Sequence, residues 1–141
     1  ARMASDTDLK VIQTIFDKME AAHPKRNPTE EVRLDAEFHL SIIEASHNVI
    51  MLHMMRSMFD LLREGVFYNR SVMFKQRTNR AQLLNQHRAI NDALQTRDPE
   101  AARAAVTRHL DYVEEALLDQ QKFEHNEEVA KLRFKHEQAR S

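Results

Sequence analysis

Apolar residues recur at three- and four-residue spacings along most of the chain, which is the period of an amphipathic helix. Asn27 and Asp98 are each followed by proline and signal helix starts, because their side chains cap free N–H groups and proline suits the first helical position. The pattern predicts an all-α helical bundle. Its helices are expected from about Asp8 to Ala22, from Pro28 to about Ser46, from Asn48 onward, from beyond Lys75 to about Thr96, and from Pro99 to at least Gln121.

Two segments differ from the others in composition. The third predicted helix has a broad apolar face, made of Val49, Leu52, Met55, Met58, Phe59, Leu62 and Val66. Residues 122–141 are mostly charged, with few apolar side chains. We therefore predict a bundle over residues 1–121, followed by a charged C-terminal helix or frayed extension over residues 122–141.

Composition narrows the class of protein. The chain has 141 residues with one glycine and no cysteine, which leaves little material for β-turns and excludes disulfides and cysteine-based zinc sites. Its 21 basic and 22 acidic side chains nearly cancel, so the basic footprint of a nucleic-acid-binding domain is missing. No apolar run approaches the roughly 20 residues of a membrane span, and no signal-peptide core begins the chain. We expect a cytoplasmic protein with no membrane partner.

Four polar residues occupy positions where a helical bundle would normally have apolar ones. Asp35 and His39 are one helical turn apart on the same face, a pairing that is common by chance when it stands alone. His87 and His109 each lie within an apolar stripe and are therefore expected to point inward. A single buried histidine is usually hydrogen-bonded to a neighbour, but burying all four side chains is costly unless one group satisfies them together. A divalent metal ion would do so.

The metal cannot be named from its ligands alone. One carboxylate oxygen and three imidazole nitrogens suit zinc, which we place first, and also nickel, manganese, cobalt or iron. An octahedral ion with only four protein ligands keeps two positions open, and a carboxylate or hydroxy acid could occupy them. The pattern therefore favours a metal-centred sensing domain.

Several runs of residues also match one family in order and spacing. They are Leu34–His39, Ala45–Asn48, Gln86–Ile90 and Ala101–Leu110, with 48 positions between His39 and His87 and 22 between His87 and His109. Over nearly its whole length the chain resembles the FadR C-terminal (FCD) ligand-binding domain of GntR-type bacterial transcription regulators. The lactate-, glycolate- and pyruvate-responsive branch is the most similar.

This resemblance implies an antiparallel helical bundle with a metal held at positions 35, 39, 87 and 109 beside a pocket for a small acid. It also implies a homodimer, and an N-terminal winged helix-turn-helix that binds operator DNA. Family members often have an additional first helix in the sensing domain. We expect both this helix and the DNA-binding domain to be missing from this sequence, which lacks an initiator methionine. We therefore expect operator DNA to be bound only through the missing domain.

Two further residues are candidates for binding the effector. Arg56 is flanked by Met55 and Met58, so its guanidinium could point into the bundle and pair with a carboxylate through two hydrogen bonds. The alternative is a surface arginine with a buried stem. Asn48 resembles an asparagine that recurs at this turn in the family, but a helix cap explains it equally well.

Two other functions compete with effector sensing. A metal-dependent hydrolase would need a general base near the metal. Glu37 lies about 200° around the helix from Asp35, and Glu44 is more than two turns from Asp35, so neither is an obvious candidate. We therefore predict no enzyme and assign no catalytic residue. A purely structural metal that ties helices together stays open. The sequence does not identify the effector, the native metal, the operator, the sign of regulation or the dimer interface.

Overall fold

A computed structural model of the chain describes residues 1–56 and 77–140, in which helices are joined by short turns and no strand is present. The elements are α1 (Asp6–Ala22), a short 3₁₀ turn (His23–Lys25), α2 (Pro28–Ala45), the helical residues 49–56 that we call α3, α4 (Arg77–Gln95) and α5 (Pro99–Arg140). The predicted all-α fold is confirmed. The predicted apolar positions Met58, Phe59, Leu62 and Val66 lie outside the described residues.

Side-chain caps determine where the helices begin. Ser5 and Asp8 form a capping box, in which the Ser5 hydroxyl accepts from the Asp8 N–H and the Asp8 carboxylate accepts from the Ser5 N–H. This box starts α1 two residues earlier than the apolar pattern predicts. Asn27 caps α2 by accepting from the Glu30 N–H, and Asp98 caps α5 by accepting from the Ala101 N–H. The two proline-marked starts are therefore confirmed.

The structure divides the chain into two compact units, Ala1–His109 and Leu110–Ser141. In the first unit, the apolar faces of α1, α2 and α4 pack into a core together with the start of α5. The main buried side chains of this core are Leu9, Ile12, Phe16, Leu34, Phe38, Ile90, Leu94 and Ala105. The bundle therefore excludes water from the faces of the helices that hold the four polar residues.

The second unit contains the rest of α5. Residues 122–140 are helical, and α5 passes through the predicted boundary at residue 121 as one continuous helix. The large apolar side chains that are exposed in this unit are Leu110, Leu118, Phe123, Leu132 and Phe134. None of the helices that the structure describes has the length and apolar character needed to cross a membrane.

Candidate metal centre

The structure brings Asp35, His39, His87 and His109 together. Each side chain offers one potential ligand atom, and these four atoms all lie within 4.8 Å of one another. Asp35 and His39 come from α2, His87 from α4 and His109 from the first part of α5. Three separate helices therefore meet at one point, and they meet through side chains that can bind a metal.

The cluster is almost entirely buried. Asp35, His87 and His109 expose 4%, 1% and 0% of their surfaces, while the side chain of His39 is about a quarter exposed, at 25%. His39 therefore lies on the side of the cluster that is nearest to solvent. A carboxylate and three imidazoles in such a place lose much of their hydration, so their environment must replace it.

The spacing of the donor atoms fits a single ion. The Asp35 Oδ1 atom lies 3.1 Å from His87 Nε2 and 3.5 Å from His39 Nε2. With metal–ligand bonds of about 2.1 Å, two ligands of a tetrahedral ion lie roughly 3.4 Å apart. Within the part of the chain that the structure describes, the buried His39 Nε2 makes no hydrogen bond. The donor set and its spacing are therefore suited to a divalent metal.

Gln86 orients one of the imidazoles. Its amide oxygen lies 2.8 Å from Nδ1 of His109. Because an amide oxygen only accepts, Nδ1 carries the hydrogen and donates it, which leaves Nε2 of His109 with the lone pair that a metal requires. We did not identify this role from the sequence. The available signal was a polar side chain beside an inward-facing histidine, and such side chains are common on helices.

Aromatic packing holds the other rings. The Phe38 ring is fully buried, and its centroid lies 5.2 Å from that of His87 and 5.8 Å from that of His39. On its other side Phe38 contacts the ring of Phe16 from α1, with centroids 6.4 Å apart. The imidazoles of His39 and His109 stack at 5.3 Å. These contacts restrict the rotamers of the histidines without competing for their nitrogens.

The two predicted effector residues have other partners. Arg56 is exposed on α3 and donates to the Glu44 carboxylate at 2.8 Å. Asn48 is also exposed, and its side chain caps α3 by accepting from the Met51 N–H at 3.0 Å. Their predicted roles in effector binding stay predictions.

The other five histidines are not part of the cluster. His47 pairs with Asp8 at 2.6 Å, and the hydrogen bonds from Ser5 and then His47 hold the pKa of the Asp8 carboxyl below its usual value. His53, His125 and His136 are exposed. Burial, and then the charge of Arg80, lower the pKa of His23.

Comparison with known proteins identifies the family. The FCD domain model matches residues 1–112, so the chain belongs to the FCD domain family. This confirms the expected membership in the FCD family of GntR-type regulators.

Three relatives illustrate the similarity. The putative L-lactate dehydrogenase operon regulatory protein of Escherichia coli (strain K12) is 36% identical over 113 residues, which is 80% of this chain and 42% of the relative. The Glc operon transcriptional activator of Escherichia coli (strain K12) is 30% identical over 122 residues, 84% of this chain and 48% of the relative. The HTH-type transcriptional regulator LutR of Bacillus subtilis (strain 168) is 29% identical over 118 residues, which is 83% of this chain and 53% of the relative. The chain spans about half the length of these relatives.

Proposed function

We propose that this chain is the effector-sensing part of a GntR-type transcription regulator, and that it recognises a small carboxylate or hydroxy acid through a divalent metal ion. Asp35, His39, His87 and His109 would hold the ion. The observation that carries the proposal is the convergence of their four donor atoms within 4.8 Å, beside the apolar core of the bundle. Similarity to regulators named for an L-lactate dehydrogenase operon and the Glc operon supports an organic acid as the effector.

The residues of the cluster have separable tasks. The Asp35 carboxylate supplies the negative charge and lies between two imidazoles, while Gln86 keeps the His109 ring in the tautomer that presents Nε2. When bound, a divalent ion supplies positive charge and coordination positions that an acid oxygen can fill. Since the ligands come from three helices, the site is tied to the packing of the bundle. Sensing requires that the acid bind one arrangement of these helices more tightly than another.

We propose that DNA is bound by a part of the regulator that lies outside this chain. The formal net charge of this segment is −1, which provides no electrostatic attraction for a phosphate backbone. We propose that an N-terminal winged helix-turn-helix contacts the operator, and that the regulator is a cytoplasmic homodimer that matches a two-fold operator. Zinc is the first candidate ion, and no residue is assigned a catalytic role.

An acid screen by thermal melting tests the proposal. We expect lactate, glycolate or pyruvate to raise the melting temperature of the zinc-loaded chain, because a ligand at 100 times its Kd stabilises the folded state by about 2.7 kcal/mol. For a chain of this size, the shift should be roughly 8–11 °C. The same acids added to the metal-free chain provide the control and should produce no comparable shift. If zinc binds but none of the acids changes the melting curve, the metal has a structural role only.

The Gln86 hydrogen bond gives a second test of the same site. Replacing Gln86 with alanine should weaken zinc binding about 10- to 100-fold, because His109 then loses the acceptor that selects its tautomer. Replacement with glutamate keeps an oxygen acceptor and should preserve most of the affinity. Zinc affinity is measured by competition with a chromophoric chelator. The matched control is Gln82→Ala, an exposed glutamine one turn earlier on α4, which should bind zinc like the unmodified chain. Equal affinity for Gln86→Ala would contradict the orienting role.

A further inference from the structure

A buried ion pair joins three segments near the candidate metal centre. The side chains of Glu31 and Arg80 are each only 7% exposed. The Arg80 Nε atom lies 3.0 Å from both carboxylate oxygens of Glu31, and its Nη2 donates to Glu31 Oε1 and to the backbone carbonyl of His23. Arg80 thereby connects α4 to α2 and to the 3₁₀ turn that follows α1. The hydrogen bonds to Glu31 raise the pKa of the Arg80 guanidinium.

The pair lies in line with two of the predicted metal ligands. Glu31 precedes Asp35 by four residues on α2, and Arg80 precedes His87 by seven residues on α4. Positions four or seven apart lie on the same face of a helix. Glu31 therefore shares a face of α2 with Asp35, and Arg80 shares a face of α4 with His87. One small cavity is lined by Glu31, Arg80 and His87, together with Leu34 and Leu84 among other residues. The ion pair and the metal ligand His87 therefore border the same space.

Stability alone does not account well for such a pair. Removing both charges from water costs free energy, and replacing a buried pair by apolar residues is often neutral or stabilising. A two-pronged arginine–carboxylate contact is, however, strongly directional, because both groups are planar and their hydrogen bonds run in parallel. A contact of this kind resists sliding of one helix along its neighbour. The distance between Asp35 and His87 depends on that same sliding coordinate.

We propose that Glu31 and Arg80 are positioning residues that hold α4 in register with α2, so that Asp35 and His87 reach one ion. The proposal rests on the metal site of the proposed function and adds two residues that act on it from outside the ligand set. The His23 carbonyl completes the arrangement by binding the same guanidinium from the end of α1. No substitution of a metal ligand is needed to test it.

The test replaces the pair without leaving a buried charge. In the full chain, Glu31→Leu combined with Arg80→Met keeps apolar volume in the core but removes the directional hydrogen bonds. We expect the metal-free double variant to melt within a few degrees of the unmodified chain, and its zinc affinity to fall about 10-fold or more. We also expect the visible absorption bands of the Co²⁺-loaded variant to change in position and intensity, because cobalt bands report ligand geometry.

Two further variants keep the test decisive. Glu30→Leu with Arg33→Met removes an exposed ion pair on the same helix, α2, and should leave zinc affinity and the cobalt spectrum unchanged. Arg80→Lys keeps the charge but loses the planar two-pronged contact, and we expect a several-fold loss of zinc affinity in a chain that folds.

The possible results separate this inference from the proposed function. If the unmodified chain binds no metal, the proposed function fails first. If it binds zinc, and the Glu31–Arg80 double variant has the same affinity and the same cobalt spectrum, the positioning role is wrong. If the double variant does not fold, the Arg80→Lys variant decides the question. Unchanged zinc affinity and an unchanged cobalt spectrum in that variant would overturn the inference.

Discussion

Replacing His87 with alanine is expected to weaken zinc binding by two orders of magnitude or more. Structural zinc sites with four ligands bind with about 10–16 kcal/mol, so each ligand contributes about 3 kcal/mol on average. Since every 1.4 kcal/mol is a factor of ten in Kd, the loss of one ligand corresponds to roughly a hundredfold change. His109→Ala should have a similar effect. Chelator competition gives the affinity, and elemental analysis of protein purified without a metal-affinity tag gives the metal content.

A third substitution separates metal binding from folding. His87 occupies a core position, with 1% of its surface exposed, so His87→Leu should keep the metal-free chain folded and at least as stable while it also loses zinc. His125→Ala, which removes an exposed histidine of α5, is the control and should bind zinc normally. Unchanged zinc content and affinity in both His87→Ala and His109→Ala would show that these residues are not ligands.

Removing the metal is expected to lower the melting temperature by roughly 12–16 °C. An ion at 1,000 times its Kd stabilises the folded state by about 4.1 kcal/mol, and a chain of about 140 residues changes its midpoint by roughly 3–4 °C for each kcal/mol. The physical reason is that the proposed ion would tie together four side chains contributed by three helices. Circular dichroism melting with and without EDTA measures the shift, and returning zinc should reverse it.

The His87→Ala chain provides the control for this measurement, because EDTA should change its melting temperature much less. If elemental analysis confirms bound zinc and EDTA removes it without any change in the melting curve, the metal contributes nothing to the stability of the bundle. The acid screen could then still succeed, since a site can bind its effector through a metal without depending on that metal for folding.

Local signals explain why the helices could be predicted so closely. Asn27 with Pro28, and Asp98 with Pro99, specify two helix starts through contacts within a few residues, and the structure places both starts as predicted. The apolar pattern gives the start of α1 at about Asp8, and the structure places it at Asp6, because Ser5 and Asp8 form a capping box ahead of the first apolar residue. The length of α5 was less predictable, since its charged second half has no apolar stripe that marks it as helical.

Part of the candidate site was also predictable. The spacing of Asp35 and His39 places them on one face of any helix, and His87 and His109 were expected to be buried because each interrupts an apolar stripe. The position of Arg56 was harder to predict from helical periodicity. Its methionine neighbours suggest an inward position, whereas the structure gives it a carboxylate partner, Glu44, on the far side of the α2–α3 turn. The long side chain of an exposed arginine can reach several carboxylates, and the local sequence does not determine which of them it pairs with.

The sequence by itself determined the helical class, the main helix starts and the four side chains that turn inward, because these follow from periodicity and from contacts between near neighbours. Only the tertiary structure decided that the four donor atoms meet within 4.8 Å, that Gln86 orients His109, and that Glu31 and Arg80 pair in the core. The Gln86–His109 and Glu31–Arg80 contacts join residues that are 23 and 49 positions apart. They depend on how the helices pack against one another, and helical periodicity carries no information about that packing.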